Sequence, residues 1–175
     1  PEYEKKHAVR NLEQADSILD SLGLDKKDSE GFRLRTDNDE RLVITFSVPA
    51  QSLIDFEGIA ELLVNHWKDV GIYIHLSVEG ETYYGIRQGN NELQLSIWLA
   101  GGSENPWTWP NMTLPVVGGA FAPLNSKWYV TNGQKGVAPT GDLKRLQEIY
   151  EEGNSLPIAM RTELGKELWR IHSDN

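Results

Sequence analysis

The spacing of apolar residues changes period several times before residue 100. From Val9 to Leu22, Leu12, Ala15, Ile18, Leu19 and Leu22 recur at helical spacing, and Gly23 supplies a left-handed stop. A polar stretch turning at Asp37-Asn38-Asp39 leads into "RLVITFSV", where Leu42, Ile44, Phe46 and Val48 alternate with Val43, Thr45 and Ser47. That alternation predicts a strand, closed by Pro49. Between Ser52 and Val70 the 3.6-residue period returns, with Ile59, Leu62, Leu63, His66, Trp67 and Val70 on one stripe and Gly71 at the end. "IYIHLSV" reads as a second strand, Glu81 to Gln88 as a short helix, and "ELQLSIWL" as a third strand. Strands alternating with helices predict an α/β fold, an open and mainly parallel sheet with helices on both faces.

The alternation stops at Leu99. Up to Gly141 the chain is dominated by Gly, Pro, Trp and Asn and follows no period. A stretch of that length with no secondary structure is uncommon in compact domains unless it has a function. Its aromatic residues Trp107, Trp109, Phe121, Trp128 and Tyr129 argue against disorder. Two helices follow, Asp142 to Glu152 and Pro157 to His172, with Pro157 in a first turn and Leu164, Leu168 and Ile171 as a packing stripe. The expected organisation is a single domain: helix and connection over 1–40, a βαβαβ core over 41–99, an aromatic loop over 100–140 and a helical pair over 141–175.

At 175 residues, with 39% hydrophobic and 25% charged residues, the chain suits one soluble globular domain. The net charge of −9 excludes a basic nucleic-acid surface. No apolar run reaches the roughly 18 to 20 residues of a membrane span. The lack of cysteine removes disulfides, thiolate metal sites and a thiol nucleophile. His7, His66, His75 and His172 show no metal-ligand spacing, and no nucleotide or nucleophile motif is present, so no metal, cofactor or catalytic residue is expected. The Asn111 sequon carries little weight. Glu79, Glu81 and Glu104 keep a glycosidase open as a minor alternative. Because the sequence starts at Pro1 and closes on the helical "ELWRIHSDN", it is expected to be part of a longer protein.

Ligands of open parallel sheets sit beyond the carboxyl ends of the strands. "IWLAGGSENPWTW" leaves such an end, which selects Trp98, Ala100, Gly101, Gly102, Glu104, Trp107 and Trp109 as candidate ligand-binding residues. Glycines let a ligand approach the backbone, and indoles offer broad, rigid contact with one polar handle. The competing reading has the tryptophans fold back and cap the sheet.

The order of segments resembles the second lobe of bacterial extracellular solute-binding proteins of family 5, the oligopeptide, dipeptide and nickel receptors of ABC importers. "NLEQADSILDSLGLDKKDSEGFRLRTDNDERLVITFSV", "IAELLVNHWKDVGIYIHLSV", "LQLSIWLAGGSENPW" and the helices of "LKRLQEIYEEG" and "MRTELGKELWRIHSDN" carry the resemblance. It implies a non-enzymatic receptor, periplasmic or extracellular and lipid-anchored in its full-length form. Its partners would be a small solute, a membrane permease and a first lobe of the same chain. The solute implied is an oligopeptide, with an oligosaccharide as the alternative. Peptide-binding members place an aspartate for the peptide amino terminus where this chain has Gly101, and Glu104 is the substitute at hand.

Overall fold

The computed structural model describes residues 9–50, 54–99, 104–118 and 120–174. They gather into two compact units, one drawn from residues 9–85 and 93–98 and the other from 86–92 and 99–174.

The first, the sheet unit, holds α1 (Leu12–Ser21), β1 (Val43–Pro49), α2 (Phe56–Lys68), β2 (Tyr73–Glu79), the start of α3 (Glu81–Gly89) and β3 (Leu95–Ser96). The three strands are all parallel, in the order β2-β1-β3. This is the α/β grammar expected from the sequence. β1 lies in the middle and pairs with β2 along its whole length, from Val43 opposite Tyr73 to Pro49 opposite Glu79. Pro49 therefore belongs to the strand, as its last residue. Phe46 and Val48 of β1, Ile74 of β2 and Ile72 just before it meet Phe56 and Ala60 of α2 in a closed core.

The α2 stripe is narrower and rotated relative to the expected one. Phe56, Ala60, Leu63, Val64 and Trp67 face the core, whereas Ile59, Leu62 and His66 are exposed. Asp55 accepts the Gly58 N–H at 2.9 Å and caps this helix, and Gly71 ends its turn at φ 80°. On α1 only Leu19 joins the core, and Gly23 takes the expected left-handed φ of 82°. The polar turn is as read, with Leu34 bridging Arg41 antiparallel and Asp39 at φ 54°.

The third strand is shorter than "ELQLSIWL". Only Leu95 and Ser96 pair, with Phe46 and Ser47 of β1. The N–H of Thr45, just before that pairing, goes instead to the Gln94 side-chain carbonyl at 2.7 Å. A side chain thus takes the place of a ladder bond.

The second, helical unit contains α4 (Pro123–Val130), α5 (Gly141–Asn154) and α6 (Thr162–Asp174). Its core is Leu114, Val116, Leu146, Ile149 and Leu168. α4 corrects the expectation of an irregular 100–140 segment. "PLNSKWYV" has no amphipathic period, and the helix rests on Pro123 in its first turn and on a buried Ser126 instead. The last expected helix is split: Ile158–Met160 form one 3-10 turn after Pro157, and α6 starts at Thr162. Arg145 ties α5 to α6, donating from Nε and a terminal nitrogen to the two Glu167 oxygens at 2.7 and 2.9 Å.

Hydrogen bonds from Arg145 hold the Glu167 carboxyl below its ordinary 4.5. Since the folded group titrates below the unfolded one, its stabilisation is complete above about pH 4.5 and is lost as pH falls through the folded value. Thermal unfolding followed across pH should show the melting temperature dropping below that point. Glu167→Gln should flatten this acid limb and lower stability at neutral pH. An unaltered acid limb in the variant would remove the pair from the account.

Candidate ligand-binding site

In a parallel sheet the segments leaving every strand emerge at one edge. Phe56 opens the helix after β1, Tyr84 lies in the helix after β2, and Trp98 follows β3. Three aromatic residues from three separate connections meet there. The Trp98 ring is stacked on Tyr84 at 6.0 Å between centroids and tilted against Phe56 at 5.9 Å. Phe56 and Tyr84 are buried, whereas Trp98 keeps 41% of its surface exposed. The Tyr84 hydroxyl donates to the Ile97 carbonyl at 3.2 Å and fixes the backbone beside Trp98. One side of the indole covers the core and the rest stays exposed.

At the same end of β1 and β2, the buried Glu79 carboxylate accepts the Ser47 hydroxyl at 2.8 Å and the Ser77 hydroxyl at 3.1 Å. Ser47 and Ser77 stand directly opposite each other in the ladder. This cluster gives the sheet end a fixed polar floor. Glu81, the other carboxylate noted at this strand end, is exposed in the first turn of α3.

Of the remaining candidates, Ala100, Gly101 and Gly102 lie outside the described residues. Glu104, Trp107 and Trp109 belong to the helical unit, so the structure describes them apart from Trp98. Glu104 is exposed, and Trp109 is 59% exposed. Trp107 packs against the core around Leu114, Leu146 and Leu168. Its indole N–H donates to the Ile149 carbonyl at 3.4 Å, and the Arg161 guanidinium lies 5.6 Å from the ring centroid. The ring fills the space left by Gly153, where a Cβ would stand 1.9 Å from Nε1.

Phe56 and Tyr84 were not singled out from the sequence. Their signal was positional: each is an aromatic residue in the helix that follows a strand of the sheet. No group of histidine, aspartate and glutamate able to hold a metal occurs among the described residues. No described helix is long and apolar enough to cross a membrane.

No family model matches the chain, and no curated protein matches it in sequence. Solved structures do match. The oligopeptide-binding protein OppA is 22% identical at a TM-score of 0.80, over 100% of this chain and 30% of its own. The periplasmic binding protein MelB of Agrobacterium fabrum, solved with stachyose, is 19% identical at 0.75, over 93% of this chain and 24% of its own. A periplasmic oligopeptide-binding protein of a Thermotoga maritima ABC transporter, solved with mannohexaose, is 18% identical at 0.66, over 93% and 29%. The chain has the solute-binding-protein fold. It spans less than a third of the length of each of these proteins. The resemblance read in the sequence is therefore met by the structure at the level of fold.

Gly153→Ala would drive a methyl group into the Trp107 ring, and the α5 backbone leaves little room for relief. Overpacking of this kind costs about 3 kcal/mol. Denaturant unfolding should record that loss. A change below about 1 kcal/mol would mean that the Trp107 indole is not held as described.

Proposed function

We propose that this chain is a ligand-binding segment of a two-lobed solute receptor serving an ABC importer. The observation that carries the reading is the half-exposed Trp98, backed by Phe56 and Tyr84 at the carboxyl edge of a sheet with the solute-binding-protein fold. In the full-length receptor, Trp98 with Phe56 and Tyr84 behind it belongs to one wall of the ligand site, and a further lobe supplies the facing wall. Closure of the lobes is then an equilibrium that the solute shifts by touching both. The receptor works outside the cytoplasmic membrane, held by a lipid anchor, and delivers its solute to a membrane permease. It is not an enzyme.

The solute is an oligopeptide or peptide-like compound, in keeping with the oligopeptide-binding proteins that share the fold. Glu104, exposed in the helical unit, is the carboxylate offered to a peptide amino terminus. A second reading, an oligosaccharide, is favoured by the open face of Trp98, a surface on which a sugar ring can lie flat.

Thermal-shift measurements on the full-length receptor against short oligopeptides and short oligosaccharides separate the two. A solute at a hundredfold excess over Kd stabilises the native state by about 2.7 kcal/mol. Peptides alone should raise the melting temperature under the first reading, and sugars alone under the second. Trp98→Leu keeps an apolar cover over Phe56 and Tyr84 but removes the indole face. It should abolish most of the ligand-induced shift while moving the ligand-free melting temperature by less than about 3 °C. A full shift in the variant would take Trp98 out of the site, and silence from both panels would count against the receptor reading.

A further inference from the structure

We propose that the helical unit carries a ligand site of its own, a groove for a small organic cation with a flat body, such as an aryl amidine or guanidine. The inference does not rest on the importer reading, because every residue involved belongs to one unit.

The groove has a volume of about 550 Å³, within the usual range for small-molecule sites. Trp128 and Tyr129 from α4 form one wall, and Lys144, Gln147, Glu148 and Glu151 from α5 form the other. Those α5 residues recur at three- and four-residue spacing and so share one helix face. The aromatic wall is held in place by the chain that follows it. Thr131 Oγ1 donates to the Lys127 carbonyl at 2.7 Å and accepts the Lys135 N–H at 2.9 Å, closing the end of α4. The Val137 N–H then returns to the Leu124 carbonyl at 3.0 Å. Gly136, at φ 90°, passes so close to α4 that a Cβ would lie 2.2 Å from the Leu124 carbonyl oxygen. Gly133, at φ 80°, lies flat against the Trp128 ring, with its Cβ position 3.4 Å away. An aromatic wall fixed in this way is a preformed surface.

The polar groups decide what the groove takes. Gln147 is 6% exposed, and its amide nitrogen donates to the Pro115 carbonyl at 2.7 Å and the Asn125 carbonyl at 3.3 Å. Both its protons are engaged, so the group it has left for a ligand is an acceptor oxygen. Among the described residues nothing donates to that oxygen. Glu148 has Lys144 and Arg145 as ionic partners. Glu151 takes the Tyr129 hydroxyl and pairs with no basic side chain among the described residues. The Glu151 carboxylate, the Gln147 acceptor and the flat Trp128 ring thus call for a cationic head rich in N–H donors on a planar body. An anion would meet three carboxylates in the lining, those of Glu148, Glu151 and Glu152, against one lining cation, Lys144, while Arg145 is already paired with Glu148, Glu152 and Glu167.

Benzamidine, benzamide and benzoate share one ring and differ in head group, and titration calorimetry of the full chain with each tests the assignment. Benzamidine should bind, benzamide about tenfold more weakly, and benzoate not measurably. Glu151→Gln should weaken benzamidine by about tenfold. Lys144→Glu, which removes the competing cation, should strengthen it by about threefold. Melting temperatures confirm that each variant is folded, and if the first is not, the second decides alone. Equal affinity for all three probes would overturn the proposal. So would the absence of benzamidine binding at millimolar concentration, or affinities unchanged in both variants.

Discussion

The parallel pairing of β1 with β2 and β3 is the constraint on which the candidate site depends. With all strands pointing the same way, the three chain segments that leave them have to start at the same sheet edge. Phe56, Tyr84 and Trp98 are far apart in sequence and are brought together by that rule alone. The same register sets Ser47 opposite Ser77, so that one carboxylate oxygen of Glu79 can accept from both hydroxyls. An antiparallel β3 would send Trp98 to the opposite end of the sheet, away from Phe56.

A buried arginine holds the amino-terminal part of the sheet unit to this frame. Arg33 is 1% exposed and its Nε donates to the Val70 carbonyl at 2.7 Å, at the turn between α2 and β2. Its terminal nitrogens reach Asp16 and Asp20 on α1 and the carbonyl of Leu24. The Arg33 hydrogen bond holds the Asp16 carboxyl below its ordinary range. A guanidinium suits this place because its fixed fork serves two carboxylates and two carbonyls at once. The α2–β2 turn is equally tight: a Cβ at Gly71 would stand 2.9 Å from the Gly31 carbonyl oxygen. The Arg33 hydrogen bonds thus tie α1 to the α2–β2 turn, and the close approach at Gly71 seats residues 27–41 there, beside a core to which α1 contributes only Leu19.

What was legible in the sequence follows from how strongly local pattern dictates structure. Period-two alternation in "RLVITFSV" and "IYIHLSV" located β1 and β2, and Gly23 and Gly71 took the left-handed turns that their places after helices require. "ELQLSIWL" alternates just as well, yet pairs over two residues, because pairing depends on a neighbouring strand and on a competing Gln94 side chain that no local pattern reveals. The rotation of the α2 stripe towards Phe56 and Ala60 had the same origin, since a helix with apolar residues on several faces leaves the sheet to choose among them. α4 was invisible because its sequence has no amphipathic stripe. For the site, position after a strand pointed to Trp98. That Trp107 fills the space at Gly153 is a matter of tertiary packing between residues 46 positions apart in the sequence.

The central claim is that the open face of Trp98 meets the solute. Hydroxyl-radical footprinting of the full-length protein, read by mass spectrometry, measures this at single residues. Adding a solute that raises the melting temperature of the protein should protect Trp98 from oxidation and leave Trp107 unchanged. Equal oxidation of Trp98 with and without bound solute would contradict the account.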